Sequence, residues 1–97
     1  MFEIRFDEQG TMHMVGRLDA AQCERALQTL DAAPPPAVVD LSALDYISSA
    51  GLGVLLKTQK RAMASGRGMR LVRVNRHIFD IFRYAGFDRL FDIEPDA

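Results

Sequence analysis

The chain has 97 residues, enough for one domain spanning 1–97 with a single modest core, and too few for a second. Its 12 Lys and Arg stand against 13 Asp and Glu, a net charge of −1, so no basic field points to nucleic acid or an anionic membrane surface, and the partner class left is another protein or a small molecule. The lone cysteine, Cys23, excludes an internal disulfide and a Cys-rich zinc site, and no apolar run suits a signal peptide or a membrane-spanning helix, so a cytoplasmic protein is expected.

Phe2, Ile4 and Phe6 alternate with Glu3 and Arg5, the period of a strand with one buried face. Asp7-Glu8-Gln9-Gly10 reads as a turn and Thr11 to Val15 as the returning strand, with Met12 and Met14 on one face and Thr11, His13 and Val15 on the other,. His13 has no second ligand near it in sequence and reads as a strand-surface residue. Gly16-Arg17-Leu18-Asp19 closes the hairpin, and Asp19, three residues before Gln22, has the spacing of a capping box,. A helix should start at Ala20, burying Cys23, Ala26, Leu27 and Leu30 at i, i+3, i+4 and i+7. Pro34-Pro35-Pro36 stops it and makes a stiff connection,.

Ala37 to Leu41 is short and apolar, as expected of a central strand covered on both faces. It leads through a polar loop into a helix, so Ser48 and Ser49 fall at a strand-to-helix junction,. The first turn of a helix leaves backbone N–H groups unpaired and carries partial positive charge. Either serine is therefore an ordinary N-cap or a place where a phosphate could be attached and tolerated. In the helix that follows, Leu52, Leu55, Leu56, Ala62 and Met63 should face inward and Lys57, Lys60 and Arg61 water, with Gly66 as its stop,. Met69 to Val74 is a second interior strand, parallel to the Ala37 strand through a right-handed crossover. Asn75 can cap a third helix with Ile78, Ile81, Phe82 and Ala85 inward; Gly86 ends it, and Phe87 to Ile93 reads as a last strand,. The fold class is α/β, a mixed sheet with covering helices in the order β-β-α-β-α-β-α-β.

Enzymatic chemistry finds little support. A nucleophile elbow around Ser49 needs glycine two residues to either side, and Ile47 occupies one of those positions,. The only histidines, His13 and His77, lie on regular elements away from the loop,. Gly51-Leu52-Gly53 starts like a dinucleotide fingerprint, but Leu56 stands at its sixth position, and there is no phosphate-binding loop,. No catalytic residue, metal or cofactor is assigned. Of the C-terminal aromatics, Phe82 and Phe91 suit the core, whereas Phe79 and Tyr84 lie off the apolar stripe and should be partly exposed.

Four segments, Gly16-Arg17-Leu18-Asp19, Val39-Asp40-Leu41-Ser42, Tyr46-Ile47-Ser48-Ser49-Ala50-Gly51-Leu52-Gly53-Val54-Leu55 and Ala85-Gly86-Phe87, resemble in order and spacing the STAS-domain anti-sigma factor antagonists of bacteria. The resemblance implies a STAS-like mixed sheet with covering helices. It implies a loop serine phosphorylated by an anti-sigma factor that is an ATP-dependent serine kinase, a PP2C-type phosphatase that removes the phosphate, and an unmodified form that binds the anti-sigma factor and frees sigma. Ser49 matches the phosphoacceptor, with Ser48 the second choice; Asp19, Ser48, Ala50, Gly51 and Leu52 match the partner-binding surface. Many members carry Asp before the acceptor and Ser or Thr after it, where this chain has Ser48 and Ala50. The family usually adds a C-terminal helix; with Pro95 and the end at Ala97, one of normal length is not expected here. Two other roles fit the same resemblance: a scaffold subunit of a stressosome-like or lipid-transport complex that is never phosphorylated, with Ser49 a plain N-cap, or a nucleotide sensor using the loop as an anion site.

Overall fold

A computed structural model describes residues 1–96. Strands β1 (Phe2–Phe6) and β2 (Met12–Leu18) form the expected antiparallel hairpin, with Phe2 opposite Gly16 and Phe6 opposite Met12. Its turn is held by Asp7, whose Oδ1 accepts the backbone N–H groups of Gln9 at 2.9 Å and Thr11 at 3.0 Å. Gly16, Arg17 and Leu18 do not close the hairpin as their composition suggests; they continue β2. The reason is a second partner. The first half of β2 pairs in parallel with β3 (Val38–Asp40) and the second half with β4 (Leu44–Ile47), a strand that the sequence presents as polar loop. Gly16, at φ +93°, sits at the register shift within the β2–β4 pairing, between Gly16 and Arg17, and a Cβ there would run into the Met1 carbonyl.

The sheet order is β1-β2-β3-β5-β6, with β5 at Arg70–Val74, β6 at Asp92–Pro95, and β4 on β2. Every pairing beyond β1–β2 is parallel, including β3 with β5 across the crossover helix. The element order expected from the sequence is thus present with one strand added. The last strand also starts later than expected. Phe87–Arg89 form a 3-10 turn, and the rings of Phe82, Phe87 and Phe91 stack in succession at 5.4 and 5.0 Å. Both aromatics of this segment are buried in the core.

Helices α1 (Ala20–Asp31), α2 (Ser49–Ala64) and α3 (Arg76–Tyr84) bury Ala26, Leu30, Leu55, Ala62, Ile78 and Phe82 in one cluster with the row Met12, Val39 and Leu71 that crosses the sheet. Asn75 caps α3 as expected, its Oδ1 accepting the Ile78 N–H at 3.0 Å. Several side chains depart from the helical reading. Cys23 is half-buried and its thiol donates to the Asp19 carbonyl, while Met63 and Ala85 are exposed. Arg61 does not point into water; its guanidinium clasps the end of α1 through the carbonyls of Leu30 and Ala33 and the Asp31 carboxylate.

Strand β3 is covered by helices on one face only. On the other, Val38 and Val72 are half-buried, Arg5 and Arg70 exposed, and Asp40 is buried by its partners: the Ser42 N–H at 2.9 Å, the Arg73 guanidinium at 3.6 Å and His13 Nδ1 at 4.0 Å. Burial pushes the Asp40 carboxyl up, but the hydrogen bonds from Ser42 and the positive charges of Arg73 and His13 outweigh it and hold the group below its ordinary value,. Asp7 is lowered in the same direction, chiefly by its hydrogen bond with His13 at 2.9 Å. A carboxylate that is more acidic in the folded state contributes stability above the unfolded pKa, and that contribution disappears as pH falls through the folded one. The urea midpoint should therefore drop as the pH is lowered from about 5 to about 2.5, and Asp40→Asn should show a shallower drop than the wild type.

Candidate functional site

Because β2 and β4 are parallel, they deliver their following helices to one edge of the sheet. Leu18 lies opposite Ile47, so the next residues, Asp19 and Ser48, stand side by side as the N-caps of α1 and α2. The Ser48 N–H donates to the Leu18 carbonyl at 3.0 Å, which fixes the start of α2 to β2.

The two serines left open by the sequence separate here. Ser48 is the N-cap: its Oγ accepts the Gly51 N–H at 3.1 Å, and its carbonyl accepts the Leu52 N–H at 2.9 Å. Ser49 is the first residue of α2 and is exposed, and its hydroxyl makes no hydrogen bond among the described residues. A plain cap role thus belongs to Ser48, not Ser49. Ala50 is exposed next to it, and the N–H groups of Ser49 and Ala50 are two of the donors that a helix start leaves without an intrahelical acceptor,. Together with the positive end of the helix dipole they form a field suited to an anion bonded to Ser49.

Gly51 is buried, so its part in the site is to permit close approach. A Cβ on it would stand 2.7 Å from Ile47 Cγ1 and 2.9 Å from the Leu18 carbonyl oxygen, and only glycine lets α2 begin against β2. Leu52 is half-buried and packs on the core cluster.

Asp19 does not form the expected capping box. Its side chain makes no cap hydrogen bond, the Gln22 N–H donates to the Asp19 backbone carbonyl at 3.1 Å, and Asp19 Oδ1 is buried without a partner among the described residues. Asp45 is exposed on β4, and its neighbour Tyr46 lies beneath the Arg17 guanidinium at 4.3 Å. That stacked pair was not legible in the sequence, since Arg17 and Tyr46 meet only because β4 exists to place them opposite each other. His77 is exposed at the start of α3 and His13 lies on the open sheet face, so neither joins the serines. Among the described residues no group of three or more His, Cys, Asp or Glu could hold a metal ion, and no helix is long and apolar enough to cross a membrane.

A six-stranded mixed sheet with three helices matches the architecture of STAS anti-sigma factor antagonist structures, and the family model described as Mlab, STAS domain matches residues 3–93. The chain is 33% identical over 81 residues to BtrV of Bordetella bronchiseptica, named as an anti-sigma factor antagonist, covering 82% of this chain and 70% of that protein. The chain belongs to the STAS-domain family of anti-sigma factor antagonists. The same fold recurs in an anti-sigma factor antagonist of Thermotoga maritima, with a TM-score of 0.78 at 18% identity over 96% of this chain and 85% of that one. It recurs in Bacillus SpoIIAA, in the unphosphorylated form with a TM-score of 0.74 and in the phosphorylated form with 0.68, each at 16% identity over 96% of this chain and 87% and 90% of theirs. Proteins of this family are non-enzymatic regulators that work through partner switching.

Proposed function

We propose that this chain is the switched component of such a pathway: unmodified, it binds an anti-sigma factor that is an ATP-dependent serine kinase, and phosphorylation of Ser49 releases it until a PP2C-type phosphatase restores the hydroxyl. The observation that carries this reading is the division of labour between the two serines. Ser48 spends its hydroxyl on the Gly51 N–H, while the exposed Ser49 hydroxyl, at the positive end of α2, is unengaged among the described residues.

The physics of the switch lies in an asymmetry. A phosphate adds a charge of about −1.5 to −2 and three acceptor oxygens. In the free protein, unpaired N–H groups and the helix dipole accommodate it, so the fold need not change. In the complex, the same dianion has to be taken out of water against a surface that fits a neutral hydroxyl, with the carboxylates of Asp19 and Asp45 flanking the junction and adding repulsion,. SpoIIAA, whose fold this chain shares, exists in both forms, which supports a fold that survives the modification.

The test uses the anti-sigma serine kinases of the source organism, each purified and incubated with ATP and this chain. Intact-mass and peptide mapping should show one added phosphate, on Ser49; Ser48→Ala should still accept it and Ser49→Ala should not. Phosphate on Ser49→Ala, or on Ser48 of the wild type, would contradict the assignment. A phosphate-free mass from cells treated with phosphatase inhibitors would favour the scaffold role.

A further inference from the structure

Helix α2 carries two glycines near its start, and they answer to different demands. Gly51 is dictated by the fold, as the contacts of its absent Cβ show. Gly53 is not: a Cβ built on it meets nothing within 4 Å, and its φ is not positive. Inside a helix glycine is the least favourable residue after proline, so a position with room for alanine gains nothing for the fold by keeping glycine.

What Gly53 does create is space. It forms the floor of a groove of about 400 Å³ between α1 and α2, walled by Cys23, Leu27, Ala50 and Val54, with the exposed Glu24 and Lys57 at its margin. Leu27 and Cys23 are only partly buried, so the walls offer apolar surface to a visitor. The groove is also continuous with the switch: Ala50, one of its walls, directly follows Ser49, and Gly53 lies four residues, about 6 Å of helix, further along,. A specific protein partner covers about 800 Å² of each side. A kinase that brings its active site to the Ser49 hydroxyl therefore covers this groove as well.

We propose that the groove is the docking slot for an apolar side chain of the kinase that modifies Ser49, with Gly53 kept free of a side chain so that the visitor can reach the α1–α2 seam. The proposal rests on the reading of Ser49 as phosphoacceptor and adds to it the surface that selects the partner. Filling the slot should cost affinity without touching the acceptor.

The measurement takes the kinase that phosphorylates wild-type Ser49 and titrates it against Gly53→Ala and Gly53→Leu, alongside thermal melts of the free chains. Gly53→Ala should melt about 2–6 °C higher than the wild type and bind about tenfold more weakly. Gly53→Leu should bind about 100-fold more weakly and raise KM for Ser49 phosphorylation while leaving kcat unchanged, because the reacting hydroxyl is unaltered. Wild-type affinity in both variants overturns the slot while the Ser49 assignment stands, and so does a Gly53→Ala chain that melts below the wild type, since the glycine would then serve the fold. Absence of Ser49 phosphorylation in the wild type removes both readings together.

Discussion

Ser49→Asp is expected to bind the kinase at least about 100-fold more weakly than the wild type, a loss of about 2.7 kcal/mol, while unfolding at nearly the same urea concentration. The two halves of this expectation come from the same atom in two environments. In the free chain a carboxylate at the first residue of α2 faces the positive end of the helix and the unpaired N–H groups of Ser49 and Ala50, a placement worth about 0.3–1 kcal/mol in favour of the fold. At an interface the carboxylate loses its water, and an unpaired charge removed from water costs several kcal/mol, far more than the helix end returns. Ser49→Ala should bind like the wild type, since it removes a hydroxyl without adding charge, and ATP should no longer dissolve its complex. Calorimetric titration checks both variants. Equal affinity of Ser49→Asp and wild type would mean that the charge at this position is not what the partner reads.

The location of this switch was legible in the sequence for a physical reason: an apolar strand, a polar junction and an amphipathic helix are each encoded locally, and a helix start has the same field wherever it occurs. Which serine is free was not. Both are one residue from the boundary, and the choice depends on Ser48 being drawn to Leu18 by its backbone, a contact 30 residues away in sequence. Strand β4 was missed for a related reason. Leu44-Asp45-Tyr46-Ile47 is too short to show a period of its own, and it becomes a strand because β2 has a free edge along its second half to offer. The same missing strand hid the Arg17–Tyr46 stack. Asp40 misled in the opposite way: inside an apolar run it suggested a strand buried on both faces, whereas Ser42, Arg73 and His13 bury it on the open face.

Gln59 shows where a side chain with no role at the site decides the stability of the whole. Gln59→Leu is expected to destabilise the chain by about 2–5 kcal/mol, because two backbone groups lose their partner at once, each at about 1–3 kcal/mol. Buried on α2, Gln59 donates from Nε2 to the Leu90 carbonyl at 2.7 Å and accepts at Oε1 from the Met69 N–H at 2.8 Å. It thereby joins the crossover helix to the entrance of β5 and to the turn after α3, two segments that no strand pairing connects at that point. Leucine has nearly the same size and is more apolar, so any loss measured is the cost of unsatisfied polar groups and not of a cavity. Thr58→Val supplies the contrast. Thr58 is equally buried, but its hydroxyl donates to the Val54 carbonyl at 3.0 Å, an oxygen the helix already satisfies, so the loss there should stay within about 1 kcal/mol,. In urea denaturation of the two variants the midpoint should fall more for Gln59→Leu than for Thr58→Val, by an amount equivalent to roughly 4 °C or more in melting temperature. Similar shifts for both would place the stability of α2 in its apolar face alone, with the Gln59 bridge contributing nothing beyond its burial.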